Sequence, residues 1–238
     1  MKKLIKQFLP KKLITKLSIL HCEYFGGYAA RSYSQEGEDM ILRRIFEKQR
    51  SGFYLDVGAH HPKRFSNTYF FYRRGWSGIN IDAMPGSMVK FNKLRSRDIN
   101  LEVGVSAKRE TLKYYVFNET ALNSFSEQLT LERDGVGSYH VVKTIDVAVF
   151  PLSEILEKYV GDREVDFMTI DVEGKDLEVL KSNNWERYRP SFVLVECFGT
   201  DDVDAVVKNN ETVKFMMARG YSMFAKTVNT VFFKRSSK

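Results

Sequence analysis

The chain has 238 residues, 43% of them hydrophobic and 28% charged, a balance that excludes disorder, a collagen-like repeat and a bundle of membrane spans. Its 37 basic and 30 acidic residues give +7, but six lysines and no acid fall within residues 1–20. From position 21 onward 31 basic residues face 30 acidic ones, and a body so close to neutral argues against a nucleic-acid partner.

Residues 1–31 read as a basic amphipathic arm. Leu4, Phe8, Leu9, Leu13, Leu17 and Leu20 recur at a roughly helical spacing broken by Pro10, which suits a docked or frayed terminal helix first, and otherwise peripheral contact with an anionic membrane through residues 1–20 or with a partner. Lysines interrupt every apolar run, so neither a transmembrane span nor a clear signal peptide is expected. Cys22 and Cys197 stand far apart with no CxxC or Cys/His tract, which fits a reducing, cytoplasmic setting. No repeat or linker divides residues 32–238, which are expected to form one domain.

Within that domain short apolar strands alternate with helical stretches. A helix over 36–49 precedes a buried strand over 52–59. A helix over 66–74 closes at Gly75, and a second strand spans 77–82. Pro85 opens a helix reaching about Arg95, followed by a third strand over 100–106. Strands are expected over 111–117 and 141–149, separated by a long loop over 118–140. A helix over 151–159, a strand over 165–172, a helix over 175–182 and a strand over 191–197 come next. One helix over 203–219 leads to strands over 222–226 and 230–234, with Asn229 in a turn too short for anything but an antiparallel pair. The fold expected is α/β: a three-layer, doubly wound, Rossmann-like sheet, mostly parallel, with a C-terminal antiparallel hairpin.

In such a sheet ligands bind beyond the carboxyl ends of the strands. Asp56, Asp82, Asp171 with Glu173, and Glu196 all stand there. Gly58 and Ala59 give the first turn a small profile that lets a ligand approach backbone N–H groups. Asp82 is placed to accept hydrogen bonds from a ribose diol, which favours a nucleoside cofactor. A dinucleotide would call for G-x-G-x-x-G, whereas Gly58-Ala59-His60-His61-Pro62 lacks that pattern. S-adenosylmethionine, with its charged amino acid end and no pyrophosphate, fits better.

The segments YSQEGEDMIL, FYLDVGAHHP, NIDAMPGS, VDFMTIDVEGKDLEVL and FVLVE, in this order from Tyr33 to Glu196, resemble the FkbM family of S-adenosylmethionine-dependent methyltransferases. The resemblance implies methyl transfer to a hydroxyl, often of a sugar in a surface glycan or of a natural product. It implies cofactor contacts at Asp56 and Gly58, ribose recognition by Asp82 and adenine contacts near Val105 and Ser106. The broader methyltransferase pattern often carries a second glycine where this chain has His60.

An alcohol attacking a sulfonium methyl group needs alignment and removal of one proton, by a base or through a metal. Asp171 and Glu173 are the first candidates for the base, then His60 and His61. Asp171 and Glu196 match positions that hold a divalent cation in metal-dependent O-methyltransferases of the same sheet type, where oxygen ligands favour Mg²⁺ or Mn²⁺. Metal-free orientation of substrate hydroxyls is the equal alternative. Asn123, Ser124, Tyr139 and His140 have the mixture expected of a sugar-binding lid, with a plain loop excursion as the equal alternative. The acceptor expected is a nucleotide-activated sugar or a polysaccharide precursor; the alternatives are a non-sugar natural product, a nicotinamide-dependent oxidation or a non-catalytic role in glycan assembly. The aromatic run Tyr69 to Trp76 is available to a homodimer partner or to the core.

Overall fold

The computed structural model describes residues 10–197 and 202–236. Its contacts divide the chain between Ser32 and Tyr33. In the first unit a helix, Lys11–Tyr24, begins directly after Pro10, whose missing N–H is no loss at a helix start. None of its residues is buried. Leu4, Phe8 and Leu9 lie outside the described residues. No helix among the described residues is long and apolar enough to cross a membrane.

The second unit is an α/β domain with two sheets. The larger contains β1 (Phe53–Val57), β2 (Ser77–Asp82), β3 (Ile99–Glu102), β7 (Phe167–Ile170), β8 (Phe192–Glu196), β9 (Tyr221–Lys226) and β10 (Thr230–Arg235) in the order β3-β2-β1-β7-β8-β10-β9. From β3 to β8 every pairing is parallel. β10 runs antiparallel to both β8 and β9, forming the expected hairpin at the sheet edge.

Both faces of this sheet are covered, which explains the unbroken apolar runs in its strands. Leu55, Val57, Ile79, Ile81, Val193 and Val195 pack on one side with Leu152, Leu156, Val179 and Leu180. The other side is aromatic: Tyr54, Phe167, Phe192 and Phe232 meet Leu42, Phe46, Phe71 and Trp76. Phe71 and Trp76 are therefore core residues, although the run that carries them is equally suited by composition to an exposed interface.

Several expected elements are redrawn. The first helix is only Glu38–Ile45, because Gly37 before it takes φ 87° while Glu36 turns away to accept hydrogen bonds from the Asn229 backbone N–H and Nδ2. The helix after the first strand shrinks to Tyr69–Arg73. Pro85 lies in a turn, and its helix starts after Gly86 (φ 85°) as Met88–Leu94. The third strand ends at Glu102, and β4 (Gly104–Val105) joins a different sheet with β5 (Glu110–Phe117) and β6 (Val141–Phe150), in the order β4-β6-β5. The 118–140 segment is not a plain loop: it holds a 3₁₀ turn at Thr120–Leu122 and a helix, Glu127–Arg133, capped by Ser126 Oγ, which accepts from the Leu129 N–H at 3.3 Å. The last helix is two, Val203–Asn209 and Glu211–Ala218, broken at Asn210, whose extended backbone lets its side chain cap the second.

Candidate active site

The carboxyl ends of β1, β2 and β7 and the second sheet enclose a cavity of about 710 Å³ including its mouth. Gly58, His60, Asp82, Val105, Asp171 and Glu173 line it, joined by Gln35, Phe65, Tyr114, Asn123 and Phe125. A smaller neighbouring cleft, about 380 Å³ only when the open solvent at its mouth is counted, shares Gln35, Phe65 and Asp171 with the first. Its lining is mostly polar and includes Asn67, Thr169, Glu196 and Thr230 beside Phe65 and Ile170. Asp171 thus stands at the junction.

Gly58 (φ 85°) is required where β1 meets β7, because a Cβ there would lie 1.7 Å from the Asp171 carbonyl oxygen. The turn it begins does not offer the expected free N–H groups. Those of Gly58 and Ala59 both donate to the Ile81 carbonyl at 2.9 Å, and that of His60 donates to Asp82 Oδ2 at 2.8 Å. His60 takes φ 50°, so it occupies in its own backbone the left-handed conformation that a glycine would favour there.

Asp82 lines the large cavity, and its carboxylate is steadied by the His60 and Met84 N–H groups. Burial raises its pKa above the ordinary aspartate value, and those two hydrogen bonds oppose the rise. Asp56 is differently employed. It is absent from the cavity lining, is nearly buried, and accepts a hydrogen bond from Thr68 Oγ1 at 2.5 Å. Burial lifts its pKa to about 6 despite the nearby Arg95. Ala59 is buried, and Ser106, next to the cavity-lining Val105, is held by its N–H to the Phe150 carbonyl.

The two histidines divide. His60 borders the cavity, with its Nε2 buried and unpartnered in hydrogen bonding, and burial followed by the Arg64 charge drives its pKa down to about 4. A pKa so lowered favours the neutral imidazole. His61 is a loop residue whose Nδ1 accepts from the N–H groups of Lys63 and Arg64, 3.1 and 3.0 Å away.

Three carboxylates converge. Asp171, Glu173 and Glu196 each place an oxygen within 4.8 Å of the other two. Asp171 is exposed at the cavity junction, yet its carboxyl is crowded by protein atoms and then by Glu173 and Asp176, which raises its pKa well above the usual range. Burial and then the neighbouring Asp171 raise that of Glu196 as well, as expected where two acids crowd one site. Glu173 has φ 55°, an unusual conformation for a residue with a side chain, followed by Gly174 at φ 91°.

That turn is held from two directions. Arg133 pairs with Glu173 Oε2 at 2.6 Å, and Ser124 Oγ donates to the Glu173 carbonyl at 2.6 Å. From the other side Asp176 accepts from the N–H groups of Val172 and Gly174. Among the lid candidates, Asn123 lines the cavity and Ser124 supports the turn, but Tyr139 and His140 are not in the lining. Gln35 belongs to the YSQEGED segment and was legible as part of a motif; Phe65, Tyr114 and Phe125 carry no signal that singles them out from core aromatics.

Residues 56–223 match the family model described as the methyltransferase FkbM domain. The chain belongs to that family. It is accordingly an S-adenosylmethionine-dependent methyltransferase, in keeping with the sheet order and the C-terminal hairpin. No curated protein matches the sequence at a significant level. Among solved structures, a TehB-like methyltransferase from Corynebacterium glutamicum is similar at 9% identity and TM-score 0.43, covering 93% of this chain and 100% of its own. An O-methyltransferase from Bacillus cereus in complex with SAH is similar at 11% identity and TM-score 0.41, covering 98% and 96%. These are distant likenesses and nothing further rests on them.

The FkbM-family cofactor suits the residues present. Asp82 offers carboxylate oxygens for a ribose diol, Val105, Tyr114 and Phe125 an apolar slot for a base, and the unpartnered His60 Nε2 a polar contact. For a divalent cation the Asp171, Glu173 and Glu196 oxygens are the right donor type.

Proposed function

We propose that the protein transfers a methyl group from S-adenosylmethionine to a hydroxyl of a sugar, as a nucleotide-activated unit or a polysaccharide precursor. The observation that carries the reading is the shared position of Asp171. One of its cavities holds the cofactor-suited residues, and the other is lined by amides, hydroxyls and carboxylates that match a polyhydroxylated acceptor. When bound, S-adenosylmethionine supplies a methyl group activated on a sulfonium centre.

The chain's own residues then have three tasks. Asp82 and the slot beside it hold the nucleoside. Polar groups of the smaller cavity, among them Asn67, Thr169 and Thr230, orient the acceptor hydroxyls. Asp171 receives the hydroxyl proton, and its raised pKa makes it a better base near neutrality than an ordinary aspartate. His60, held neutral, contributes a hydrogen bond.

The convergence of three carboxylates favours one further reading, in which Asp171 and Glu196, joined by Glu173, hold Mg²⁺ or Mn²⁺ and the cation acidifies the hydroxyl. The test is incubation of the full chain with S-adenosylmethionine and a panel of nucleotide sugars and oligosaccharides, read by mass spectrometry. A one-methyl mass gain on a sugar, lost in Asp171→Asn, is the expected result. Transfer only to a non-sugar acceptor would assign the protein to natural-product methylation, and no transfer with intact cofactor binding would favour a binding role. Activity abolished by a chelator and restored by Mg²⁺ or Mn²⁺ would establish the cation.

A further inference from the structure

Helix Lys11–Tyr24 has no buried residue. Leu13, Leu17, Leu20 and Tyr24 follow one another at helical intervals and fall on one face. They are 42%, 49%, 40% and 74% exposed, and Phe25 and Tyr28, just beyond the helix, are 77% and 75% exposed. An apolar stripe along one face, followed in the chain by two further exposed aromatic rings, is an interaction surface rather than scattered surface hydrophobics.

The surrounding charge identifies the occupant. Lys11, Lys12 and Lys16 lie off the stripe, Lys2, Lys3 and Lys6 extend the basic run in sequence, and Glu23 is the single acid among residues 1–31. A second copy would bring six like charges against six. The remainder of the chain is close to neutral and supplies no excess of acid to receive them. Leucines that enter an acyl boundary, tyrosines that lodge among headgroups and lysines that meet anionic lipid together describe an interfacial helix.

We infer that the Lys11–Tyr24 helix is a membrane-surface anchor that lies in the plane of a bilayer containing anionic lipid. It holds the apolar stripe in the acyl boundary and the lysines at the headgroups. The inference is independent of the methyl acceptor.

The test is flotation of the full chain with vesicles of equal parts phosphatidylglycerol and phosphatidylcholine, and with pure phosphatidylcholine, at low and high salt. The wild type should float with the anionic vesicles and lose most of that binding in high salt. With each lysine near an anionic surface worth about a factor of five, K11E/K12E/K16E should lower the partition coefficient by at least roughly a hundredfold. L13S/L17S/L20S, with its charge unchanged, should also fail to float. Since no residue of the helix is buried, both variants should keep the wild-type thermal melt and S-adenosylmethionine binding, which separates this inference from the transferase reading. Absence of wild-type flotation would overturn it, as would a leucine variant that floats like the wild type. Conversion of a wild-type dimer to a monomer by the leucine changes, without vesicle binding, would assign the face to a second copy instead.

Discussion

Arg95 is completely buried, and it keeps its charge by spending every side-chain nitrogen on a partner: Nε on Asp98, one terminal nitrogen on Thr68 and the other on the Tyr54 hydroxyl. The same Thr68 donates to Asp56, so the network lies directly beneath the site. Arg95→Met would leave Asp98 buried without its cation, and the expected cost is about 3–5 kcal/mol in urea unfolding, whereas a loss below about 1 kcal/mol would show that the pair is replaceable. His60 gives a pH signature. Its folded pKa of about 4 is depressed, so its contribution to stability is present above the ordinary value of 6.5 and is lost as pH falls towards 4. Asp56 and Asp176, raised to about 6 and 7, act with the opposite sign: their contribution is present below the ordinary carboxylate value and lost as pH rises through 6 and 7. His60→Asn suits the left-handed backbone and leaves both aspartates in place, so they cancel in the comparison. The stability advantage of wild type over the variant should shrink between pH 6.5 and 4 in thermal melts, and a constant difference would mean that His60 stays accessible to protons.

The Glu127–Arg133 helix acts on the site without lining it. Its Arg133 pairs with Glu173, and Ser124, ahead of it, fixes the same turn through the backbone. Arg133→Gln should therefore lower kcat by about tenfold to a hundredfold through misplacement of the Glu173 turn, with S-adenosylmethionine affinity nearly unchanged. Equal losses in both would show that the helix supports the cofactor cavity itself. This helix also marks the limit of what the sequence discloses. Strands β1, β7 and β8 were legible because both faces of their sheet are buried, whereas the β9–β10 hairpin, whose edge strand is partly exposed, was legible from the short turn at Asn229. The helix is seven residues long, too short for a periodic signal, so the segment read as a loop. The split after Glu102 was hidden because one apolar run serves two sheets, with Gly104 packed so closely against Val149 and Phe125 that a Cβ would clash. In the site, the carboxylates after β2, β7 and β8 were visible from strand-end position. The withdrawal of Asp56 and of the Gly58 and Ala59 N–H groups was not, since it depends on Thr68 and the Ile81 carbonyl, which only the folded chain brings near.

The larger cavity joins parts that the chain supplies separately: the ends of β1 and β2, the β7 turn, the second sheet through Val105 and Tyr114, and the 3₁₀ turn through Thr120. A ligand contacting all of them binds only the assembled domain, so its binding free energy adds to the stability of the whole unit. At a free concentration a hundred times Kd, S-adenosylmethionine should stabilise the protein by about 2.7 kcal/mol. For a unit of this size that corresponds to a rise in Tm of roughly 5–10 °C. Asp82→Ala removes the groove's carboxylate and the acceptor for the His60 and Met84 N–H groups, so its own Tm should fall and its ligand-induced rise should nearly vanish. NADH should produce no rise in the wild type, because the Gly58 turn directs its N–H groups into β2 and has none to offer a pyrophosphate. A rise with NADH comparable to that with S-adenosylmethionine would mean that the turn rearranges on binding. An undiminished rise in Asp82→Ala would move the nucleoside away from β2.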